Sequence, residues 1–94
     1  INKSEEKKSI PNIYSDFPVF DGEITKISEK STSKYTRCIL DYENISSLDF
    51  EDYLYDITRA GYIQESNIKY AKKNTYIIVV YSQTSLHIIF HINK

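Results

Sequence analysis

The spacing of apolar residues changes from one stretch of the chain to the next, and each change marks an element. From Lys34 to Tyr42 the side chains alternate. Thr36, Cys38, Leu40 and Tyr42 fall on one side, and Tyr35, Arg37, Ile39 and Asp41 on the other. That period of two predicts a strand. Residues 23–29 predict a strand before it, and Ser31-Thr32-Ser33 is a polar turn that makes the two a hairpin. Further on the period becomes helical. Phe50, Tyr53, Leu54 and Ile57 stand at i, i+3, i+4 and i+7 and form one apolar stripe.

The helix has marked ends. Ser46 is an N-cap residue, with Asp49 in the capping-box position and Ile45 and Phe50 in the two staple positions. Gly61 is free to take the left-handed conformation that stops a helix, and Tyr62 then folds back on Ile57. After the helix the pattern is strand-like to the end. Residues 67–71 predict a short strand. Lys72-Lys73-Asn74 predicts a tight turn with Asn74 as its left-handed residue. Residues 75–81 are apolar on both sides and predict a central strand covered on both faces. Residues 85–92 alternate, with Leu86, Ile88, Phe90 and Ile92 opposite His87, Ile89 and His91.

This order predicts an α+β, two-layer fold, with one helix packed across a four- to five-stranded antiparallel sheet. The first hairpin is free to join either edge of the final meander. Residues 1–16 are expected to be a flexible polar tether and residues 17–94 a single domain. Phe17, Val19 and Phe20 are too apolar for a free loop and are expected to cover an edge of the core. The chain contains no methionine. We therefore expect that a segment has been removed ahead of Ile1, as in a secreted or membrane-anchored protein that has lost its signal.

Composition narrows the function classes. Hydrophobic residues make up 40% of the chain, enough for one core and too many for a disordered chain. A net charge of −1 provides no global attraction to nucleic acid or to a membrane surface. The charge is unevenly placed. Residues 43–65 hold six acids against Arg59 alone, whereas residues 66–94 hold Lys69, Lys72, Lys73 and Lys94 and no acid. The single cysteine, Cys38, allows no internal disulfide, which leaves export open because disulfides are optional outside the cell. No apolar run reaches the ~18 residues that span a bilayer.

Candidate chemistry is sparse. His87 and His91 share a strand face, but four residues of strand separate them by about 13 Å, too far to hold one metal ion. Cys38 falls on the inward side of its strand, where thiols are commonly inert. Asp49, Asp52 and Asp56 read as the wet face of the helix. Two glycines in the whole chain exclude a glycine-rich phosphate loop. No cofactor, metal or catalytic residue is therefore expected.

The surface that stands out is the sheet face turned away from the helix. It is expected to carry Tyr35, Arg37, Ile39, His87, Ile89, His91 and one side of the 75–81 strand. That is too apolar for a bare sheet face, and such patches mark contacts. Three occupants compete: the tether or the 17–20 segment, a second copy of the chain, or another partner. Nucleic acid is disfavoured because the basic surround is thin.

The stretch FPVFDGEITKIS, with SSLDFEDYLYDITRAGY and the tyrosine-rich strands after it, resembles a family of small predicted lipoproteins of low-GC Gram-positive bacteria. The resemblance covers about residues 17–92. It lies in a Phe-Pro…Gly-x-Ile opening, a Ser-x-x-Asp-Phe-x-x-Tyr helix ending in Ala-Gly-aromatic, and a β-meander. It implies a domain held outside the membrane through a lipidated cysteine upstream of residue 1. The family carries no assigned activity, so the resemblance transfers no site.

The combined expectation is a non-enzymatic extracytoplasmic domain that binds a protein or cell-envelope partner through Tyr35, Arg37, His87 and His91. The alternative is an inhibitor or immunity-type protein that docks through Glu51, Asp52 and Asp56 on the acidic helix face. The capping argument carries its own test. Ser46→Ala should cost about 1 kcal/mol, read as a lower urea midpoint at unchanged slope.

Overall fold

The computed structural model describes residues 9–94. Six strands form one antiparallel sheet: β1 (Ile24–Ser31), β2 (Tyr35–Tyr42), β3 (Ile63–Gln64), β4 (Lys69–Lys72), β5 (Thr75–Ser82) and β6 (Ser85–Asn93). The helix α1 (Ser47–Arg59) lies between β2 and β3 in the chain. The strand order is β1-β2-β6-β5-β4-β3. The hairpin β1–β2 therefore joins the meander beside its last strand, β6. The fold is the expected α+β arrangement with one strand more than the four or five expected. The extra strand, β3, is two residues long and pairs Ile63 with Ala71 and Gln64 with Tyr70. Two residues are too few to show a period.

The length of α1 suits this order. At ~1.5 Å per residue its thirteen residues extend about 20 Å. The far edge of the sheet lies four strand spacings from β2, ~19 Å, so α1 and its flanking loops carry the chain across in one pass. Both ends are built as expected. Ser46 Oγ accepts the Asp49 amide at 3.1 Å. At the other end Gly61 has φ +97°, its amide donates to the Thr58 carbonyl, and the Tyr62 amide donates to the Ile57 carbonyl. This is the paired closure of a Schellman end, with Tyr62 and Ile57 both buried.

The sheet register decides which side chains meet the helix. Across β2, β6 and β5, Cys38 pairs with Phe90 and Phe90 with Ile77; Leu40 pairs with Ile88 and Ile88 with Val79. All six are buried. Phe50 of α1 stacks on Tyr81 at 4.6 Å, and Tyr53 meets Phe20 edge-on at 5.5 Å. Tyr53 and Ile57 form the buried part of the stripe, whereas Phe50 and Leu54 pack at its margin. One helix does not roof the whole sheet. The remainder is closed by the N-terminal segment, where Phe17 stacks on Phe90 at 4.5 Å and Phe20 meets Tyr42 edge-on at 4.9 Å.

The domain begins earlier than Phe17. A 3-10 turn at Asn12–Tyr14 brings Tyr14 into the core, where it is fully buried and its hydroxyl lies 3.4 Å from Thr36 Oγ1. Ile10 also packs against the core. The expected tether thus gives up its last residues to the domain, because Ile10 and Tyr14 supply apolar surface that the sheet needs. Residues 1–8 of that tether lie outside the described residues.

Two local expectations are corrected. The left-handed residue in the β4–β5 turn is Lys73, with φ +56°, not Asn74. Asn74 is instead held by β6: its side-chain amide donates to the Asn93 carbonyl and its own carbonyl accepts the Asn93 amide. The described residues cover strand β5 on one face only. Ile77 and Val79 are buried, but Tyr76 and Ile78 are half-buried and Val80 is 37% exposed.

Two tyrosines of the core make a test of polar burial. Tyr53 Oη donates to the Pro18 carbonyl at 2.8 Å, whereas Tyr42 Oη is buried with no partner among the described residues. Burial pushes the Tyr42 phenol up to about 12. An unpartnered buried hydroxyl is a net cost, whereas a bonded one contributes about 1 kcal/mol. Tyr42→Phe should therefore leave the melting temperature equal or higher, and Tyr53→Phe should lower it by several degrees, as measured by calorimetry.

Candidate functional site

With α1 and the N-terminal segment on one face, no described element covers the other. That back face is built by the same pairing that builds the core. Arg37 of β2 pairs with His91 of β6 and His91 with Tyr76 of β5. One step along, Ile39 pairs with Ile89 and Ile89 with Ile78. One step further, Asp41 pairs with His87 and His87 with Val80. The face thus has three rows: basic-aromatic, isoleucine, and one in which an acid and a histidine stand beside a valine.

The first row is a stack. The His91 ring lies between Tyr35, at 4.8 Å between centroids, and Tyr76, at 4.2 Å and nearly parallel. The Arg37 guanidinium sits over Tyr35 at 4.6 Å, and Lys69 Nζ over Tyr76 at 4.5 Å. Cations over ring faces are attracted by the ring quadrupole. The protonation state of His91 follows from its neighbours. Arg37 Nη2 lies 3.2 Å from His91 Nδ1. A guanidinium has donors only, so Nδ1 accepts and the ring proton sits on Nε2. Nε2 donates to Asn93 Oδ1 at 3.0 Å. His91 is therefore a neutral ring.

Its environment enforces this. His91 is buried, at 4% exposure, and burial is the main reason its pKa falls below the ordinary value. The charges of Arg37 and Lys69 push the same way, and the Asn93 bond opposes them. Of the two histidines on this face, only His87 is half-exposed. His87 Nδ1 is hydrogen-bonded to Asp41 Oδ1, and both side chains remain partly open to solvent.

The four residues expected to form one binding site thus divide. Tyr35, Arg37 and His91 come together; His87 stands in the next group but one, with Asp41. The two histidines have separate partners, and among the described residues no group of three His, Cys, Asp or Glu is placed to hold a metal ion. Cys38 lies on the core side, fully buried, and burial pushes its thiol up to about 11. In that state it is a poor nucleophile at neutral pH. Tyr76 and Lys69 were not individually singled out by the sequence pattern. Alternation places Tyr76 on this face, but only the cross-strand register puts it against His91.

The alternative surface also takes shape. Asp49, Asp52 and Asp56 meet Asp21 around a shallow cleft of about 350 Å³ floored by Phe20 and Tyr53. Glu51 is exposed on the helix outside this lining. Asp21 arrives from the segment ahead of β1, a juxtaposition that no spacing within the helix reveals. A second cleft, of about 450 Å³, runs between Phe17, Tyr62 and the β4–β5 turn. Its Lys72 donates to the Ala60 carbonyl at 2.7 Å and so caps the helix.

No family model, curated protein or solved structure matches the chain. The functional reading rests on this geometry.

The neutral His91 makes a pH prediction. Its folded pKa lies below the 6.5 of a free histidine, so the unfolded chain takes up a proton first as pH falls. The stability linked to His91 is full above pH 6.5, declines as pH drops through it, and levels once the folded ring also protonates. His91→Phe keeps a ring between the tyrosines and removes the titration. Urea midpoints between pH 8 and pH 5 should fall less for the variant than for the parent; parallel curves would exclude the linkage.

Proposed function

We propose that this chain is a non-enzymatic, extracytoplasmic domain that docks a protein or cell-envelope partner on the back face of its sheet. The observation that carries the reading is the uncovered row Ile39–Ile89–Ile78, with a stacked Arg37–Tyr35–His91–Tyr76–Lys69 array beside it. Aromatic and arginine side chains in a preset arrangement are what dense protein contacts use, since they bring large area at small entropic cost. The stack supplies that order in advance, and the half-buried isoleucines supply apolar area that docking removes from water. Support for the extracytoplasmic part comes from the polar N-terminal stretch and from the resemblance to small lipoproteins. The buried Cys38 thiol and the separated histidines support the non-enzymatic part.

A second reading keeps the acidic surface as the contact, in an inhibitor or immunity-type role. The observation favouring it is the convergence of Asp21 with Asp49, Asp52 and Asp56 on one cleft. Binding there should weaken steeply with salt, whereas binding on the isoleucine row should not.

The two surfaces are separable by cross-linking. A photoreactive phenylalanine derivative in place of Val80 reports on the back face, and one in place of the exposed Leu48 reports on α1. Illumination of cells making the protein should give covalent adducts through position 80 and not through position 48. Adducts through position 48 alone, or through neither, would overturn the back-face reading.

A further inference from the structure

The back face is complementary to itself, and we propose that the partner docked there is a second copy of this chain, related by a two-fold axis lying along the isoleucine row. The inference rests on the reading of the back face as a docking surface. On β2 the outward residues Arg37, Ile39 and Asp41 follow one another at alternate positions, with Ile39 midway between opposite charges. Rotation about an axis running through Ile39, Ile89 and Ile78, in the plane between two facing sheets, reverses the strand direction and keeps β2 opposite β2. Arg37 of each copy then stands over Asp41 of the other, twice by symmetry. The isoleucine rows lie on each other at the centre.

Three further observations fit this register. Arg37 makes no ion pair among the described residues, and the residue is only partly buried. Asp41 uses Oδ1 for His87, and a carboxylate has further acceptor capacity on its second oxygen. The same rotation sets Tyr76 against Val80, a large residue against a smaller one, so that the facing surfaces interdigitate. The like-charged contacts it creates are Lys30 over Lys26 on the exposed edge strand β1 and, at the other end of the axis, Lys69 over its own mate. Water screens both, and Lys69 also has Glu65 beside it at 3.5 Å. Four strands of eight or nine residues with the four-residue β4 beside them make a face of roughly 550 Å² in projection, somewhat below the ~800 Å² that one partner contributes to a standard interface. Closed two-fold pairing is also the commonest symmetry of self-association. In such a dimer the two acidic clefts, on the helix side of each copy, face outward and stay free.

The test is the solution mass of the full chain by sedimentation equilibrium across a concentration series. The parent chain should show a monomer–dimer equilibrium. Arg37→Asp and Asp41→Arg should each weaken it at least tenfold, by placing like charges across the axis, and the double variant R37D/D41R should restore it. Should either single variant melt far below the parent, Arg37→Gln and Asp41→Asn remove the charge at similar size, and each should still weaken the dimer measurably. A parent chain that stays monomeric at millimolar concentration overturns the proposal, as does a dimer that the charge exchange does not restore. The two readings fail separately. Adducts through position 80 to a different macromolecule, with a monomeric parent, sink self-association and keep the docking face; no adducts at position 80 sink both.

Discussion

Everything in this molecule depends on the pairing of β6 with its two neighbours. β6 lies between β2 and β5, and one register sets two surfaces at once. On the inner side it aligns Cys38 with Phe90 and Ile77, and Leu40 with Ile88 and Val79. On the outer side it aligns Arg37 with His91 and Tyr76. A slip of one residue would exchange the faces, sending Phe90 and Ile88 to solvent and His91 into the core. The buried inner row holds the register, and the outer array is ordered as a consequence. The chemistry of the back face thus draws its rigidity from hydrophobic burial on the other side of the sheet.

A thirteen-residue helix cannot roof a six-stranded sheet, and aromatic rings close the gap. Phe17 on Phe90, Phe20 on Tyr42 and Tyr53, and Phe50 on Tyr81 tie two separate segments, the N-terminal stretch and α1, to one face. Rings suit this role because each buries a large area with few rotatable bonds. The arrangement also explains why Tyr14 belongs to the domain. Without it the sheet around Thr36 and Phe90 would lose its cover. By recruiting the N-terminal segment to the core side, the fold leaves the back face with no described cover. Neither Phe17 nor Phe20 is available to shield the isoleucine row.

His91 shows how a surface residue becomes a structural one. It is flanked by two rings, accepts from Arg37 and donates to Asn93, so each nitrogen is used and neither tautomer nor orientation is free. Its neutrality keeps Arg37 in place, since a proton on Nδ1 would face a guanidinium with no lone pair to receive it. His87, four residues away on the same strand, has one carboxylate partner and an open ring. Residues with the same periodicity thus acquire different roles from what stands on the adjacent strands.

Apart from the two-residue β3 and the turn at Asn12–Tyr14, the elements were legible in the order of residues. Alternation in β2 and β6, the stripe of α1, the Ser46 cap and the Gly61 stop all act within one segment, and their spacing reports directly on local backbone geometry. The α+β class followed from their order, and the outward set of Tyr35, Arg37, Ile39, His87, Ile89 and His91 from alternation alone. What only the tertiary structure decided is what lies next to what. The choice of β6 as the neighbour of β2, the pairing of Tyr76 with His91, the split of His87 from Arg37, the approach of Asp21 to the helix acids and the burial of Tyr14 all join residues distant in the chain. Periodicity records which way a side chain points along its own strand or helix. Which side chain meets it from another element is set by packing the whole core, where many segments compete for the same apolar surface and no single segment carries the answer.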